Sequence, residues 1–506
     1  MYLLVLLILP FILYTATRLA RLIRTALVNP YLLAIPGPFL ARFTRLWYFS
    51  HVRKGHFEWD NINLHARYGP VVRLAPNHYS ISDRAAVKTI YGPGSQFAKS
   101  AWYDGWSHPD PNKTSLFADR NIKRHAEAKK RYSSLYSMTS LIHYEDFVDR
   151  CADIFTQRVA EFARQGESFN LGHWFQCYAF DVIGDITFGQ RFGFLDQGQD
   201  MEGAINAVEK VMNFSTLVGI YPEWRSILYH TLGRFNLSGP SGRSLIIRYV
   251  EDKIQKFNSR VKSSPETGQG ALQTQAFLEK MVLARDKDPN KVGDRHLLMM
   301  GVSNLTAGSD TTSVSLSSIM YELLRNPTVL RRLRQEISEF TEQGRCSTRV
   351  TFKESQEMPY LQAVMKEAIR MHSATGLPLW RVVPAGGAEI SGHFFPEGTV
   401  LGINTWVAHY DERVFPDAKA FRPERWIEAE SNPETLKVMN EMYMPFGLGS
   451  RTCIGKHISI LEMSKLIPRI VRDFDFELEN EAWTTRNTWF VKSTEFVVKA
   501  ELRKSS

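Results

Sequence analysis

From Asp294 to Asn326 the chain reads DRHLLMMGVSNLTAGSDTTSVSLSSIMYELLRN, 33 residues without a proline until Pro327 stops the run. At about 1.5 Å per residue such a helix is a rod of roughly 50 Å, long enough to cross a whole globular body. Its apolar residues lie on several faces instead of one stripe, which places the rod in the interior.

Around it the chain is helical in pattern from about Arg84 to Met371, including VLRRLRQEISEF and YLQAVMKEAIRMH, apart from a turn-rich aromatic segment at 91–117. Two strand-like runs flank Pro76 and Asn77 in PVVRLAPNHYSISD, a predicted hairpin. Strand signals return after about residue 380 in RVVPAGGAEI and GTVLGINTW, ahead of an irregular region leading to Cys453. The expected fold class is mainly α with a smaller β part. With 44% hydrophobic and 12% aromatic residues, and no repeat or low-complexity stretch, the chain has material for one large core.

The first residues are of another kind. MYLLVLLILPFILYTAT is an apolar run of 17 residues ending at Arg18, and a more mixed helical stretch continues to about Leu27. About 20 residues cross a hydrocarbon core of roughly 30 Å, so the run suffices if its flanks snorkel. Arg18, Arg21 and Arg24 follow at once and set the downstream side in the cytosol. A cleaved signal peptide would carry its positive charge before the apolar run, not after it. The expected organisation is therefore a transmembrane anchor over 1–25, a linker over 26–40 in which Pro36, Gly37 and Pro38 form a stiff hinge, and a single catalytic body over 41–506.

The net charge of +9 is concentrated in the same region: residues 1–57 hold seven cationic side chains and no acid, so the body is nearly neutral. This excludes a basic face for DNA or RNA. The four cysteines, Cys151, Cys177, Cys346 and Cys453, show no short pair spacing, which speaks against a CxxC zinc site or a disulfide framework and fits a reducing compartment. Sequons at Asn112, Asn213, Asn236 and Asn304 stay bare in the cytosol, and Asn304 lies inside the long helix.

Cys453 stands apart from the other three. PFGLGSRTCIGK, residues 445–456, surrounds it with glycines at 447, 449 and 455, which permit a tight loop that brings backbone N–H groups to the sulfur. A thiolate is a strong ligand for haem iron and favours O–O cleavage. Phe446 can pack beneath a porphyrin, and Arg451 can pair with a propionate. The other three cysteines read as inert buried hydrophobes.

Phe446-x-x-Gly449-x-Arg451-x-Cys453-x-Gly455 resembles the haem-binding signature of the cytochrome P-450 superfamily, the haem-thiolate monooxygenases. The resemblance extends over nearly the whole chain. It implies that Glu367 and Arg370 in MKEAIRMH join Arg425 of FRPERW in a buried network under the haem loop, so that Glu367→Ala would leave a buried cation unpaired at roughly 3–5 kcal/mol. In AGSDTT it implies a close approach of porphyrin and dioxygen at Ala307 and Gly308, with Thr311 as the oxygen-activating residue and Asp310 as its acidic partner. The chain departs from the family where an early helix usually carries W-x-x-x-R: KRHAEAKKRYSSLYS offers His125 and Lys129, four residues apart on one face, as propionate donors, with Arg381 as a third.

The same resemblance implies haem b as cofactor, electrons from NADPH through a separate cytochrome P-450 reductase, and cytochrome b5 as a further donor. The basic run 123–131 with Lys456 is a candidate reductase-docking face. Pocket candidates from the family's substrate-contacting regions are Trp102, Trp106, Phe117, Leu305, Leu377, Trp380, Trp489 and Phe490, each of which reads equally well as core. GLPLWRVVPAGGAEISG and HAEAKKRYSSLYSM are similar to fungal enzymes of the pisatin demethylase type, which act in secondary metabolism. The expected activity is hydroxylation, epoxidation or demethylation of a hydrophobic small molecule by an endoplasmic-reticulum enzyme facing the cytosol. Two rivals stay open: a haem-thiolate rearrangement enzyme, isomerase or dehydratase, that needs no external electrons, and a membrane-anchored binding protein without haem.

Overall fold

The computed structural model describes residues 34–503 apart from 109–114, 236, 264–275 and 480–482, together with residues 13, 14, 16, 17, 20 and 32. The expected anchor over 1–25 and much of the linker lie outside the described residues. Among those described, no helix is long and apolar enough to cross a membrane.

The long helix spans Asp294–Arg325. It ends because the ring of Pro327 forces Asn326 out of helical geometry, to ψ 74°. Buried residues occur on every side of it, from Leu297 and Met300 to Leu316, Ile319 and Leu323, as its apolar pattern requires. Its most extensive partner is the helix Leu171–Phe188, itself buried almost throughout. Gly308 permits this closeness, since a Cβ there would press into Ile183. Asn304 is enclosed as well, its amide donating to Thr187 Oγ1 at 2.8 Å and its carbonyl accepting from Tyr136 at 2.5 Å.

The described residues hold twelve short strands: β1 (Val71–Ala75), β2 (His78–Ile81), β3 (Ala98–Lys99), β4 (Ser168–Asn170), β5 (Arg381–Val382), β6 (Ala388–Ile390), β7 (His393–Phe395), β8 (Val400–Gly402), β9 (Phe474–Leu478), β10 (Thr485–Asn487), β11 (Val491–Ser493) and β12 (Val497–Leu502). The main sheet has the order β1-β2-β8-β5-β3, with β2 and β8 parallel and the other pairs antiparallel. The hairpin expected about Pro76 and Asn77 is β1–β2, Arg73 opposite Tyr79. A second sheet, β4-β12-β9, joins the C-terminus to the helical half. Two apolar clusters result. The larger fills the helical half, and the smaller gathers Tyr79, Ile90, Phe395, Leu401 and Trp426 between the sheet and the C-terminal loops.

One expectation differs from the structure. The stretch before Cys453 is less irregular than its sequence suggests, holding the helices Thr405–His409, Glu424–Glu430 and Pro433–Met442, the first and last capped by Asn404 and Asn432. The Pro36-Gly37-Pro38 segment is held against the body. Arg73 N donates to Pro36 O at 2.8 Å, and the buried Arg73 guanidinium donates to the carbonyls of Leu32 and Pro76, so the segment is pinned to β1.

Candidate active site

The cysteine loop is closed by its own backbone. Cys453 N donates to Phe446 O at 2.8 Å, and Gly447 and Gly449 adopt φ of 68° and 60°, which glycine alone takes without strain. At Gly449 a side chain would also collide with the Tyr91 carbonyl. Gly455 differs: its φ is −82°, and it matters as the residue whose N–H, with that of Lys456, is aimed at Cys453 Sγ at the start of the helix Lys456–Asp473. Burial pushes the Cys453 thiol up, and these two N–H groups with the ammonium groups of Lys129 and Lys456 pull it back toward the thiolate. Cys453 is exposed. Cys151 and Cys177 are buried and Cys346 is partly so.

The long helix has one turn of similar character. Ala307 is exposed and Thr311 half-buried within a rod otherwise largely enclosed. Thr311 Oγ1 donates to Ala307 O at 2.8 Å. Next to it the carboxylate of Asp310, 1% exposed, accepts from Gln176 Nε2 at 2.5 Å and from Lys492 Nζ at 3.2 Å. Thr312 and Ser459 share a hydrogen bond of 2.9 Å, which ties this turn to the helix that follows Cys453.

Glu367, Arg370 and Arg425 meet in one buried cluster. Arg370 donates to Glu367 through Nε at 2.9 Å and Nη2 at 2.8 Å, Arg425 Nε at 2.8 Å, Trp426 Nε1 at 2.9 Å and Arg422 N at 3.2 Å. The cluster reaches the cysteine loop through a residue the sequence did not single out. His409 Nδ1 donates to Arg370 O at 3.0 Å, and its Nε2 accepts from Met444 N at 3.0 Å, just ahead of Pro445. That pattern demands a neutral imidazole, and burial together with Arg370 holds its pKa down to about 3.

A third group of side chains is basic. Lys99, His125 and Arg381 are 6%, 6% and 4% exposed, and Arg451 lies beside them. Arg451 Nη1 donates to Asp119 O at 2.6 Å, while its buried Nη2 has no partner. The Asp119 carboxylate is itself occupied by a two-pronged contact from Arg124 at 2.7 and 2.8 Å. Burial first, then Arg381, lowers Arg451 to about 10; burial first, then Arg451, lowers His125 to about 3. Lys129 is placed otherwise, its ammonium donating to Ser450 O at 3.1 Å and Thr452 O at 2.9 Å, so that it braces the loop. Positive charge gathered in the interior, with a guanidinium nitrogen left over, fits the two carboxylates of haem b as the aimed sulfur fits its iron.

The pocket candidates divide. Trp489 packs against Trp102, Trp106 and Phe117 with ring centroids 4.8, 5.8 and 6.1 Å apart. Trp489 has φ 90°, a strained value for a non-glycine residue, held by Asn487 Oδ1 accepting from Trp489 N at 3.1 Å and by Gly376 N donating to Trp489 O at 3.0 Å. Phe117 is exposed and Phe490 buried. Leu305, Leu377 and Trp380 are enclosed core side chains, Trp380 donating to Tyr48 Oη at 3.2 Å on the side of the main sheet. Sequence reasoning passed over Lys99, Gln176, His409 and Lys492. Only Lys99 carried a signal, as a lone cation in the aromatic run FAKSAWYDGW.

The cytochrome P450 family model matches residues 36–501. The chain is 38% identical over 464 residues to pisatin demethylase of Fusarium vanettenii, covering 90% of this chain and 86% of that protein. It is 35% identical over 482 residues to cytochrome P450 monooxygenase cicH of Emericella nidulans, 93% of each. Cytochrome P450 monooxygenase gsfF of Penicillium aethiopicum is 33% identical over 476 residues, again 93% of each. A match that runs the length of the catalytic body, over a centre suited to haem, leaves one conclusion: the chain belongs to the cytochrome P450 family and is a haem b monooxygenase.

Proposed function

We propose that this monooxygenase inserts one oxygen atom of O2 into a hydrophobic small molecule of fungal secondary metabolism, with two electrons from NADPH delivered by a separate NADPH-cytochrome P450 reductase and cytochrome b5 as a further donor. The second oxygen atom leaves as water and consumes two protons. The observation that carries this reading is the pairing of Cys453, its sulfur met by the Gly455 and Lys456 N–H groups, with the Asp310–Thr311 turn of the long helix. The bound haem supplies dioxygen binding and reductive activation. The chain supplies the rest. The two N–H donors hold charge on the sulfur; Ala307 keeps the exposed helix turn free of bulk, while Gly308 lets the helix pack against Ile183; Thr311 offers a hydroxyl; and Asp310 is the buried acid that hands protons toward it. Lys492, 22% exposed, links that acid to the surface.

Three further features support the setting. Lys123, Arg124 and Lys130 are exposed on the helix whose Lys129 braces the cysteine loop, a basic face suited to an acidic reductase. Phe39, Leu40, Phe43 and Leu46 are exposed, as are Trp224, Ile227 and Phe235, and Arg45 joins the two segments by donating to Ile220 O and pairing with Glu223. Such a face is suited to a bilayer and supports a body over 41–506 resting on the cytosolic side of the endoplasmic reticulum, anchored through 1–25 and the 26–40 linker. Two relatives carry the name pisatin demethylase, which puts oxidative demethylation first among reactions to assay.

The test is the CO difference spectrum of dithionite-reduced wild type and Cys453→Ser, followed by turnover with NADPH and reductase. A thiolate-type Soret band lost in the serine variant, with product formed only when NADPH and reductase are present, is the expected result. Product formed without electrons would make the enzyme a rearrangement catalyst instead, and a wild type without the thiolate band would overturn the role given to Cys453.

A further inference from the structure

Strands β10 and β11 form a hairpin whose tip is Thr488, Trp489 and Phe490, with Asn487 opposite Val491 at its base. The Asn487 side chain is buried and has every polar position in use. Its Nδ2 donates to Glu58 Oε2 at 2.6 Å and to Gly376 O at 3.0 Å, and its Oδ1 accepts from Trp489 N at 3.1 Å. Two acceptors and one donor around a single short side chain call for an amide, since aspartate brings no N–H and serine only one O–H. Position 376 is glycine for the same reason: a Cβ there would run into that amide. Glu58 comes from the helix Phe57–Tyr68 and is fully buried, and Asn487 N donates to Gly55 O at 2.8 Å just ahead of that helix. The base of the hairpin is therefore fastened at two points to the N-terminal part of the body.

What this clamp holds is the φ of 90° at Trp489, a backbone state that a bulky side chain resists. The Thr488 carbonyl has its own anchor in Thr216 Oγ1 at 3.1 Å, but the Trp489 N–H depends on Asn487. The indole placed in this way stands among Trp102, Trp106 and Phe117. That aromatic group is joined to both sides of the reaction centre. Phe117 O accepts from Lys99 Nζ, in the basic group beside Arg451, and Lys492, on the strand that follows the tip, bonds Asp310 next to Thr311. We propose that Asn487, oriented by Glu58, is a positioning residue for substrate selection: by fixing the backbone of Trp489 it makes the indole a rigid wall of the space in which substrate lies. The inference rests on the reading of Cys453 and the Asp310–Thr311 turn as the reaction centre, and it is independent of which substrate is oxidised.

The test uses purified full-length holoprotein as wild type, Asn487→Ala, Trp489→Gly and the double variant. Each is titrated with imidazole, too small to reach the wall, and with clotrimazole, whose three aryl rings fill the space around it; the Soret shift on nitrogen ligation reads both. Asn487→Ala should weaken clotrimazole about three- to tenfold, the weight of an aromatic contact, and leave imidazole within about twofold, with the thiolate-type CO band kept. Trp489→Gly should weaken clotrimazole likewise, and adding Asn487→Ala to it should change nothing further. Glu58→Gln, whose side-chain carbonyl can still accept from Asn487, should stay near wild type. Equal losses for the two ligands in Asn487→Ala would mean that Asn487 acts on the fold alone, additive losses in the double variant that it acts apart from Trp489, and unchanged clotrimazole binding that it sets nothing; each outcome overturns the proposal while leaving the reaction centre in place. A wild type without the thiolate-type CO band would remove the reaction centre and the proposal with it. Should the alanine variant fail to fold, Asn487→Ser carries the same comparison.

Discussion

Glu367→Ala is the substitution whose consequence can be worked furthest. Five donors converge on the two carboxylate oxygens: Oε1 takes Arg370 Nη2, Arg425 Nε and Arg422 N, and Oε2 takes Arg370 Nε and Trp426 Nε1. Glu367 and Arg370 are both 0% exposed and Arg425 is 5%. Removal of the carboxylate leaves two buried guanidinium groups without a counter-charge, a loss of about 3–5 kcal/mol. At about 1.4 kcal/mol per tenfold, that is two to nearly four decades in the equilibrium holding this region together. The nearest structure to give way is the cysteine loop, because Arg370 holds His409 and His409 holds Met444. The variant should therefore be purified with far less haem per chain, and the haem it retains should lose the thiolate-type CO band on mild warming. Glu367→Gln should be nearly as damaged, since its amide nitrogen must face two or three donors. Removing one stranded cation as well, in Glu367→Ala/Arg425→Met, should recover part of the loss. Wild-type haem content in Glu367→Ala, with a thermal midpoint unchanged within about a degree, would refute the reasoning.

Three further outcomes are expected. His409→Phe keeps the Glu367 cluster paired but leaves Met444 N–H without an acceptor, at about 1–3 kcal/mol; hydrogen exchange at the Met444 amide should speed up while the Glu367 helix stays protected. Lys492→Met removes the partly exposed partner of Asp310, so NADPH consumption should uncouple from product, the solvent isotope effect on turnover should change, and haem content should hold. Glu58 is fully buried, with Oε1 unpartnered, and burial raises its pKa to about 7. The folded state therefore keeps a proton that the unfolded chain has already released above its ordinary range near 4.5, and stability falls as pH rises between about 4.5 and 7. Glu58→Gln should lose that slope in thermal midpoints measured across this window.

What could be read from the sequence depended on how local each feature was. The long helix was legible because its beginning, apolar content and proline stop lie in one run, and Asp294–Arg325 follows. The Glu367–Arg370 pair and the cysteine loop were legible for the same reason, their geometry being set within one helix turn or one tight turn. The strands β9 to β12 were not, since three to six residues each give too few positions for alternation to register. The short helices before Cys453 escaped likewise, being held by tertiary contacts instead of by helical periodicity.

The site divides along the same line, and the division carries a physical point. A motif reports on residues that one element brings together, but charge balance reports on residues that several elements bring together. Lys99 lies in a two-residue strand whose partner is set by pairing with Arg381, far along the chain, and nothing near either residue in sequence announces the other. His409 bonds outward at both ring nitrogens, to a helix on one side and to the cysteine loop on the other. Each is intelligible only as a link between motifs that sequence alone can name but not join. The early helix shows what spacing does and does not carry. His125 and Lys129 do share a face, and that face meets Arg451 at one residue and loop carbonyls at the other, which their spacing alone does not tell.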